Sequence, residues 1–126
     1  MPTTASATMT TKEIAKKLKK YCDKGEFEEA LKQLFADDAV SIEPMATDDF
    51  EKETHGLKAL LEKSQKWSDM VSEVHSMEIS DPIVAGNSFA MTMKMDVTTN
   101  KGRMDMTELC IYNVKNGKII SEQFFM

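Results

Sequence analysis

Two stretches late in this 126-residue chain alternate apolar and polar residues, and this alternation constrains the fold more than any other feature. Successive side chains of a β-strand point to opposite faces, so strict alternation predicts strands with one buried face. The turn residues at 100–102 predict that the two strands form a hairpin. In 89–98 one face carries Met91, Met93, Met95 and Val97, and in 103–114 one face carries Met104, Met106, Glu108, Cys110 and Tyr112.

The methionine content gives these faces a distinct chemistry. The chain holds 11 methionines, and methionine is flexible and polarizable, so it adapts to irregular gaps or to apolar ligands. The two methionine faces can coincide in a hairpin, which predicts the wall of an apolar pocket. The residues predicted to line this pocket are Met91, Met93, Met95, Met106, Cys110, Tyr112, Glu122, Phe124, Trp67 and Leu18.

The remaining pattern predicts an α+β chain with helices before a mainly antiparallel sheet. The polar segment 1–10 is expected to be a disordered tail, and residues 11–126 a single domain. Thr10 and Glu13 have the spacing of a capping box, which predicts a helix from position 11. Further helices are predicted from the apolar stripes that begin at 27 and 57, and strands at 39–43, 71–80, 89–98, 103–114 and 118–125.

Charge and composition exclude several classes of function. The net charge is −5 and arginine occurs only at Arg103, so the chain lacks the basic surplus of a nucleic-acid-binding surface. No apolar run reaches the ~20 residues of a membrane span, and the first residues do not resemble a secretory signal. Cys22 and Cys110 match no zinc or redox motif, so we expect a reduced, cytoplasmic protein.

A few polar side chains are candidates for chemistry within the predicted pocket. Glu108 falls among methionines, where a buried carboxylate needs a partner or a proton, and a raised pKa would suit acid–base work. Glu43 ends a strand before Pro44, and His75 shares a predicted face with Met77 and Ile79. Alternatively, the Glu108 side chain reaches solvent at the sheet edge or pairs with a lysine. A single β-bulge would also invert the predicted faces.

Other chemistry has little support in the sequence. Glu and His can bind metals, but no paired-histidine spacing is present, so no metal and no cofactor are expected. Cys110 is expected to be an inert, buried side chain, because a nucleophilic role would need an adjacent base and only His75 could serve.

Several short motifs follow one another along the chain. They are Lys24-Gly25-Glu26, Leu34-Phe35-Ala36-Asp37-Asp38-Ala39-Val40-Ser41-Ile42-Glu43-Pro44, His55-Gly56, Tyr112-Asn113-Val114-Lys115-Asn116-Gly117-Lys118-Ile119 and Ser121-Glu122-Gln123-Phe124-Phe125. In this order they resemble the nuclear transport factor 2-like (NTF2-like) superfamily, and within it the SnoaL-like polyketide cyclase and ketosteroid isomerase branch. The resemblance covers residues 11–126, and the last motif is similar to an uncharacterised SnoaL-like subgroup.

The resemblance implies a cone-shaped fold, with a curved sheet around a pocket closed by three N-terminal helices, and a homodimer through the outer sheet face. It places the isomerase general base, the residue before the strand-ending proline, at Glu43. The acidic position of the penultimate strand falls on Cys110, with Glu108 two residues away on the same face. The helix-one tyrosine of the isomerases falls on Leu18.

Three functions remain open at this point. The first is a binding protein for a small apolar ligand, in which Glu43, His75 and Glu108 form a structural network. The second is an acid–base isomerase or cyclase acting on a small apolar carbonyl compound, in which Glu43 abstracts a proton, Glu108 donates a hydrogen bond to the enolate and His75 orients a group or shuttles the proton. The third is a dimeric protein-interaction module. The loop 45–56 is an acidic surface loop or a lid.

Overall fold

The computed structural model of the protein describes residues 8–126, which form three helices and seven strands. The predicted disordered tail lies largely outside these residues, but Met9 packs against the core and Thr10 caps the first helix. The elements in chain order are α1 (Thr11–Asp23), α2 (Phe27–Leu34), β1 (Phe35–Ile42), β2 (Glu53–His55), α3 (Leu57–Met70), β3 (Val71–Ile79), β4 (Ile83–Ala85), β5 (Ser88–Thr99), β6 (Gly102–Lys115) and β7 (Lys118–Phe125).

The first helix begins where the sequence predicts it. The Thr10 hydroxyl accepts a hydrogen bond from the Glu13 amide at 3.1 Å, and the Glu13 carboxylate accepts one from the Thr10 amide at 2.9 Å. This reciprocal pair satisfies two amides that the first helical turn leaves free. One face of α1 is then buried in the core, through Ile14, Leu18 and Cys22.

The sheet is open and mixed, with strand order β2-β1-β7-β6-β5-β3 and with β4 paired to one end of β5. All pairs are antiparallel except that of β1 with β7, which is parallel. The prediction that all three helices precede the sheet is wrong, because β1 and β2 lie between α2 and α3. The prediction of an α+β chain with a mainly antiparallel sheet is confirmed.

The predicted hairpin of β5 and β6 has the register that brings the methionine faces together. Met91 is opposite Cys110, Met93 opposite Glu108, and Met95 opposite Met106. The three β5 methionines are each at most 8% exposed, because this face is covered by the helices. We call it the helix-covered face and the opposite side the outer face.

The second hairpin fixes where the last strand lies. Asn116 and Gly117 form the predicted β6–β7 turn, with φ of 52° and 76°, the left-handed conformations that such a tight turn requires. The turn places Glu122 opposite Tyr112 and Phe124 opposite Cys110, so both side chains lie on the helix-covered face.

Strand β3 departs from the predicted alternation. Its pairing with β5 has register irregularities between Val71 and Glu73 and between Val74 and Ser76. The second inserts His75 as an extra residue, and such a bulge changes the face of the residues that follow. Met77 and Ile79, beyond the bulge, pack against the core.

No helix within residues 8–126 is both long enough and apolar enough to cross a membrane.

Candidate functional site

Five polar side chains meet on the helix-covered face, where β1, β6 and β7 face α3. They include two of the predicted catalytic residues, Glu43 and Glu108, and one predicted pocket residue, Glu122. We call this group the carboxylate–lysine cluster, and its members are Ser41, Glu43, Lys63, Glu108 and Glu122.

Lys63 connects the members of the cluster. Its ammonium group donates to the Glu43 carboxylate at 2.5 Å and to the Ser41 hydroxyl at 3.0 Å. The same nitrogen lies 5.7 Å from the centre of the Phe124 ring, within the range of a cation–π contact. The side chains of Lys63 and Glu43 are 18% and 24% exposed, so water screens this ion pair less than a surface pair.

Glu122 is the most perturbed carboxylic acid of the cluster. It lies beside Ser41 in the parallel pairing of β1 with β7. Desolvation by burial raises the pKa of Glu122 to about 7, against the opposing effects of the Ser41 hydroxyl and the Lys63 charge. The charges of Glu43 and Glu108 add to the rise. At neutral pH this carboxyl group is therefore divided between its protonated and ionised forms.

Glu108 lies opposite Met93 and is partly buried. Burial raises the pKa of Glu108, the charge of Glu43 raises it further, and Lys63 opposes both effects. Within residues 8–126 its carboxyl group has no hydrogen-bond or ion-pair partner, unlike that of Glu43. Glu108 thus places a carboxyl group without a hydrogen-bond partner in the described residues on an otherwise apolar stripe of β6.

The deeper pocket residues of the prediction are packed core. Tyr112 stacks on Phe89 with ring centres 4.8 Å apart, and burial raises its pKa well above the usual value. Burial also raises the pKa of the Cys110 thiol, which keeps it protonated and inert. Leu18 and Met91 are 3% and 2% exposed and fill the space between α1 and the sheet.

His75 does not reach the cluster. The bulge in β3 turns its ring toward the outer face, where Nε2 lies 2.7 Å from the Thr98 hydroxyl and Nδ1 lies 3.2 Å from Glu73. The predicted shared face of His75 with Met77 and Ile79 is wrong, because the inserted residue inverts the alternation at that point.

An open cleft lies beside the cluster and does not contain it. Its volume is about 690 Å³, and it runs between α2, the C-terminal half of α3 and the strands β3 and β5. Trp67 and Met95, two predicted pocket residues, line this cleft. Met95 is opposite Met106, two residue pairs along the hairpin from Met93 and Glu108 and on the same face, so the cleft adjoins the cluster.

Lys63 and Ser41 are the members of the cluster that the sequence does not reveal. Lys63 lies on the border of the apolar stripe of α3, where a lysine ordinarily points into solvent. Its three-residue spacing from buried Leu60 is the one signal that places it near the sheet. Ser41 precedes Glu43 by two residues, and this period of two is the signal for their common face.

The cluster offers acid–base groups more readily than a metal site. Within residues 8–126 no three or more His, Cys, Asp or Glu side chains are arranged to hold a metal ion. A carboxyl group that titrates near neutral pH can exchange a proton or donate a hydrogen bond to a carbonyl oxygen, and an ion-paired carboxylate beside it can accept one.

The comparisons with known proteins agree with this architecture. A family model described as a SnoaL-like domain matches residues 9–126. A candidate SnoaL-like polyketide cyclase from Mesorhizobium loti is 38% identical, with a TM-score of 0.86 over 94% of this chain and 100% of the other. No curated protein matches the chain.

More distant solved structures share the fold alone. An NTF2-like protein of unknown function from Burkholderia pseudomallei is 12% identical, with a TM-score of 0.74 over 94% of this chain and 92% of the other. A protein with a ketosteroid isomerase-like fold from Catenulispora acidiphila, in complex with trimethylamine, is 16% identical, with a TM-score of 0.63 over 79% and 74%. The family model and the Mesorhizobium structure both cover nearly all of the described residues, and the chain therefore belongs to the SnoaL-like family.

Proposed function

We propose that the protein binds a small, mainly apolar molecule that carries a carbonyl or similar hydrogen-bonding oxygen, on the helix-covered face at the carboxylate–lysine cluster. The observation that carries this proposal is Glu108, a partly buried carboxyl group without a protein partner. Its carboxyl oxygens are not fully buried, because no fully buried side-chain oxygen within residues 8–126 lacks a partner, so they are free to form a hydrogen bond with a ligand. A bound ligand oxygen supplies that partner when Glu108 is protonated.

The surroundings of Glu108 favour the same class of ligand. Met93, Met106 and Phe124 supply an adaptable apolar wall. The adjoining cleft, with Trp67 and Met95, supplies further apolar surface for the body of the molecule. A few polar groups within a mostly apolar site are typical of small-molecule binding.

A panel of paired compounds tests this proposal. Each pair consists of a neutral cyclic or aryl ketone and the hydrocarbon in which a methylene replaces the carbonyl, and binding is read from the shift in melting temperature. The wild-type protein is expected to bind the ketone about tenfold more tightly, since one hydrogen bond to a buried group contributes about 1–1.5 kcal/mol.

Two variants locate the effect. Glu108→Met replaces the carboxyl group with an apolar side chain of similar length. This variant is expected to bind both members of a pair equally. Glu78→Gln, which changes an exposed glutamate of β3, is the matched control and should retain the preference for the ketone. The proposal fails if no ketone raises the melting temperature, or if E108M retains the preference.

Proton transfer on an enolisable ketone is the second candidate function. Glu122 titrates at about 7 beside the ion-paired Glu43, and two carboxyl groups with different environments are the pattern of acid–base catalysis. In D₂O such an enzyme exchanges the hydrogens next to the carbonyl, which proton NMR follows. E43Q and E122Q are both expected to abolish this exchange, and exchange at the buffer rate with the wild-type protein would remove the candidate.

The outer face supports a dimer proposal. Leu109 and Phe125 are paired across β6 and β7 and are 40% and 43% exposed, with Ile111 beside them. A contiguous exposed apolar patch is typical of a protein interface. Light scattering is expected to give twice the chain mass of 14.2 kDa, and Leu109→Asp to halve it. A wild-type mass of one chain would contradict this proposal.

A further inference from the structure

The segment between β1 and β2 crosses the end of the sheet at which the cluster lies. We call residues 44–52 the strap. It leaves the sheet directly after Glu43, a member of the cluster, and the Glu43 amide donates to the Lys52 carbonyl at 2.7 Å where the strap returns. Any displacement of the strap therefore acts on the backbone that carries Glu43.

The register of the sheet shows what the strap spans. The last pair of β6 with β7 is Leu109 with Phe125, so residues 102–108 of β6 extend past the end of β7. The C-terminal ends of β1 and β7 and the turn between β5 and β6 lie at the same end of the sheet, because β1 and β7 are parallel and β6 runs against them. The strap bridges the β1 end and that turn, which Asp49 contacts at Lys101.

Four contacts hold the strap in this position. The Asp49 carboxylate accepts from the Lys101 ammonium group of the β5–β6 turn at 2.7 Å. The Asp49 carbonyl accepts from Lys66 of α3 at 2.5 Å. The Phe50 ring lies 6.5 Å from that of Trp67, and Lys66 lies 5.2 Å from the Phe50 ring.

Only one of these contacts joins the strap to the hairpin. The Asp49–Lys101 pair is exposed on the lysine side, at 54%, and an exposed ion pair is weak enough to open readily. Beneath the strap is a crevice of about 260 Å³ whose wall includes Lys63, so the crevice leads to the cluster.

We propose that the strap gates the carboxylate–lysine cluster. The Asp49–Lys101 ion pair, which we call the latch, holds the strap closed, and in this closed position Phe50 packs against Trp67. Opening the latch lets Phe50 leave Trp67 and exposes Lys63 and Glu43 to small molecules. The role of this gate in ligand entry rests on the proposed function. The existence of the gate is tested without any ligand.

Trp67 reports the position of the strap, because it is the only tryptophan of the chain. Removing the latch with Asp49→Asn or Lys101→Met is expected to raise the acrylamide quenching constant of Trp67 fluorescence. The loss of an exposed ion pair changes an open population by about two- to fivefold. The charge-swapped double variant D49K/K101D is expected to restore quenching to the wild-type level.

Lys63 reports access to the cluster. Limited acetylation by acetic anhydride, followed by mass spectrometry, compares Lys63 with Lys94, an exposed lysine of β5. The latch variants are expected to raise the Lys63 to Lys94 labelling ratio by the same two- to fivefold factor. Arg103→Gln is the matched control, because it removes the Asp96–Arg103 ion pair from the same hairpin without touching the strap.

The two proposals fail in different ways. Unchanged Trp67 quenching and Lys63 labelling in D49N and K101M, or equal changes in R103Q, would overturn the gate and leave ligand binding untouched. A failure of the ketone panel leaves both readouts of the gate as they are.

Discussion

Replacing Glu122 with glutamine is expected to stabilise the protein at pH 8 by about 3 kcal/mol, the free-energy equivalent of the rise in its pKa. The unfolded chain releases the Glu122 proton near pH 4.5, whereas the folded protein holds it to a pH of about 7. Between these values the folded state binds more protons, so the stability of the wild-type protein falls as the pH rises through this window. The E122Q side chain cannot ionise and escapes this loss.

Urea unfolding between pH 4.5 and 8 measures the effect. The curves for the wild-type protein and E122Q are expected to meet near pH 4.5 and to separate as the pH rises. E78Q serves as the control for removing a glutamate charge. Equal stability of E122Q and the wild-type protein at pH 8 would show that Glu122 ionises as easily in the folded chain as in the unfolded one.

Replacing Lys63 with methionine is expected to destabilise the protein at pH 8 by about 1–3 kcal/mol. The change removes the positive charge that pairs with Glu43 and that opposes the rise in pKa of Glu108 and Glu122. Removing one partner of a partly buried ion pair leaves an uncompensated charge, which costs more than the intact pair contributes. The loss is expected to shrink at pH 5, where the raised pKa of Glu122 keeps that carboxyl group protonated and uncharged.

A double-mutant cycle separates this electrostatic loss from lost packing. K63M/E43Q removes both charges and is expected to recover most of the stability at pH 8, because no unpaired carboxylate remains at position 43. K66M changes a lysine of the same helix that bonds to the strap backbone rather than to a carboxylate, and it provides the comparison for a lysine outside the cluster. If K63M loses the same stability at every pH, and K63M/E43Q does not recover it, the electrostatic role of Lys63 is contradicted.

The hairpin could be predicted because its information is local. Alternation with a period of two and a short turn determine both the face and the partner of each residue, and so Glu108 could be placed opposite the β5 methionines from the sequence. Glu43 could be placed at a strand end because Pro44 restricts the residue before it. The family resemblance added three helices packed on a mainly antiparallel sheet, although β1 and β2 precede the third helix in the structure.

The missing parts of the prediction depend on contacts that span the fold. Lys63 reaches Glu43 across twenty positions, and a lysine at the edge of a helical stripe gives no sign of its partner. The parallel pairing of β1 with β7 joins segments about eighty residues apart, which no local pattern reports. His75 was misplaced because one inserted residue in β3 inverts its face, and a bulge has no reliable signature in a strand of this composition.

The cluster is expected to hold a proton at neutral pH beside an ion-paired carboxylate, and side-chain carboxyl NMR measures this directly. Carbon-13 shifts of the glutamate carboxyl groups are followed from pH 3 to pH 9, and the Glu122 signal is identified by its absence in E122Q. A midpoint of about 7 is expected for Glu122. A midpoint near the ordinary glutamate value of 4.5 would contradict it.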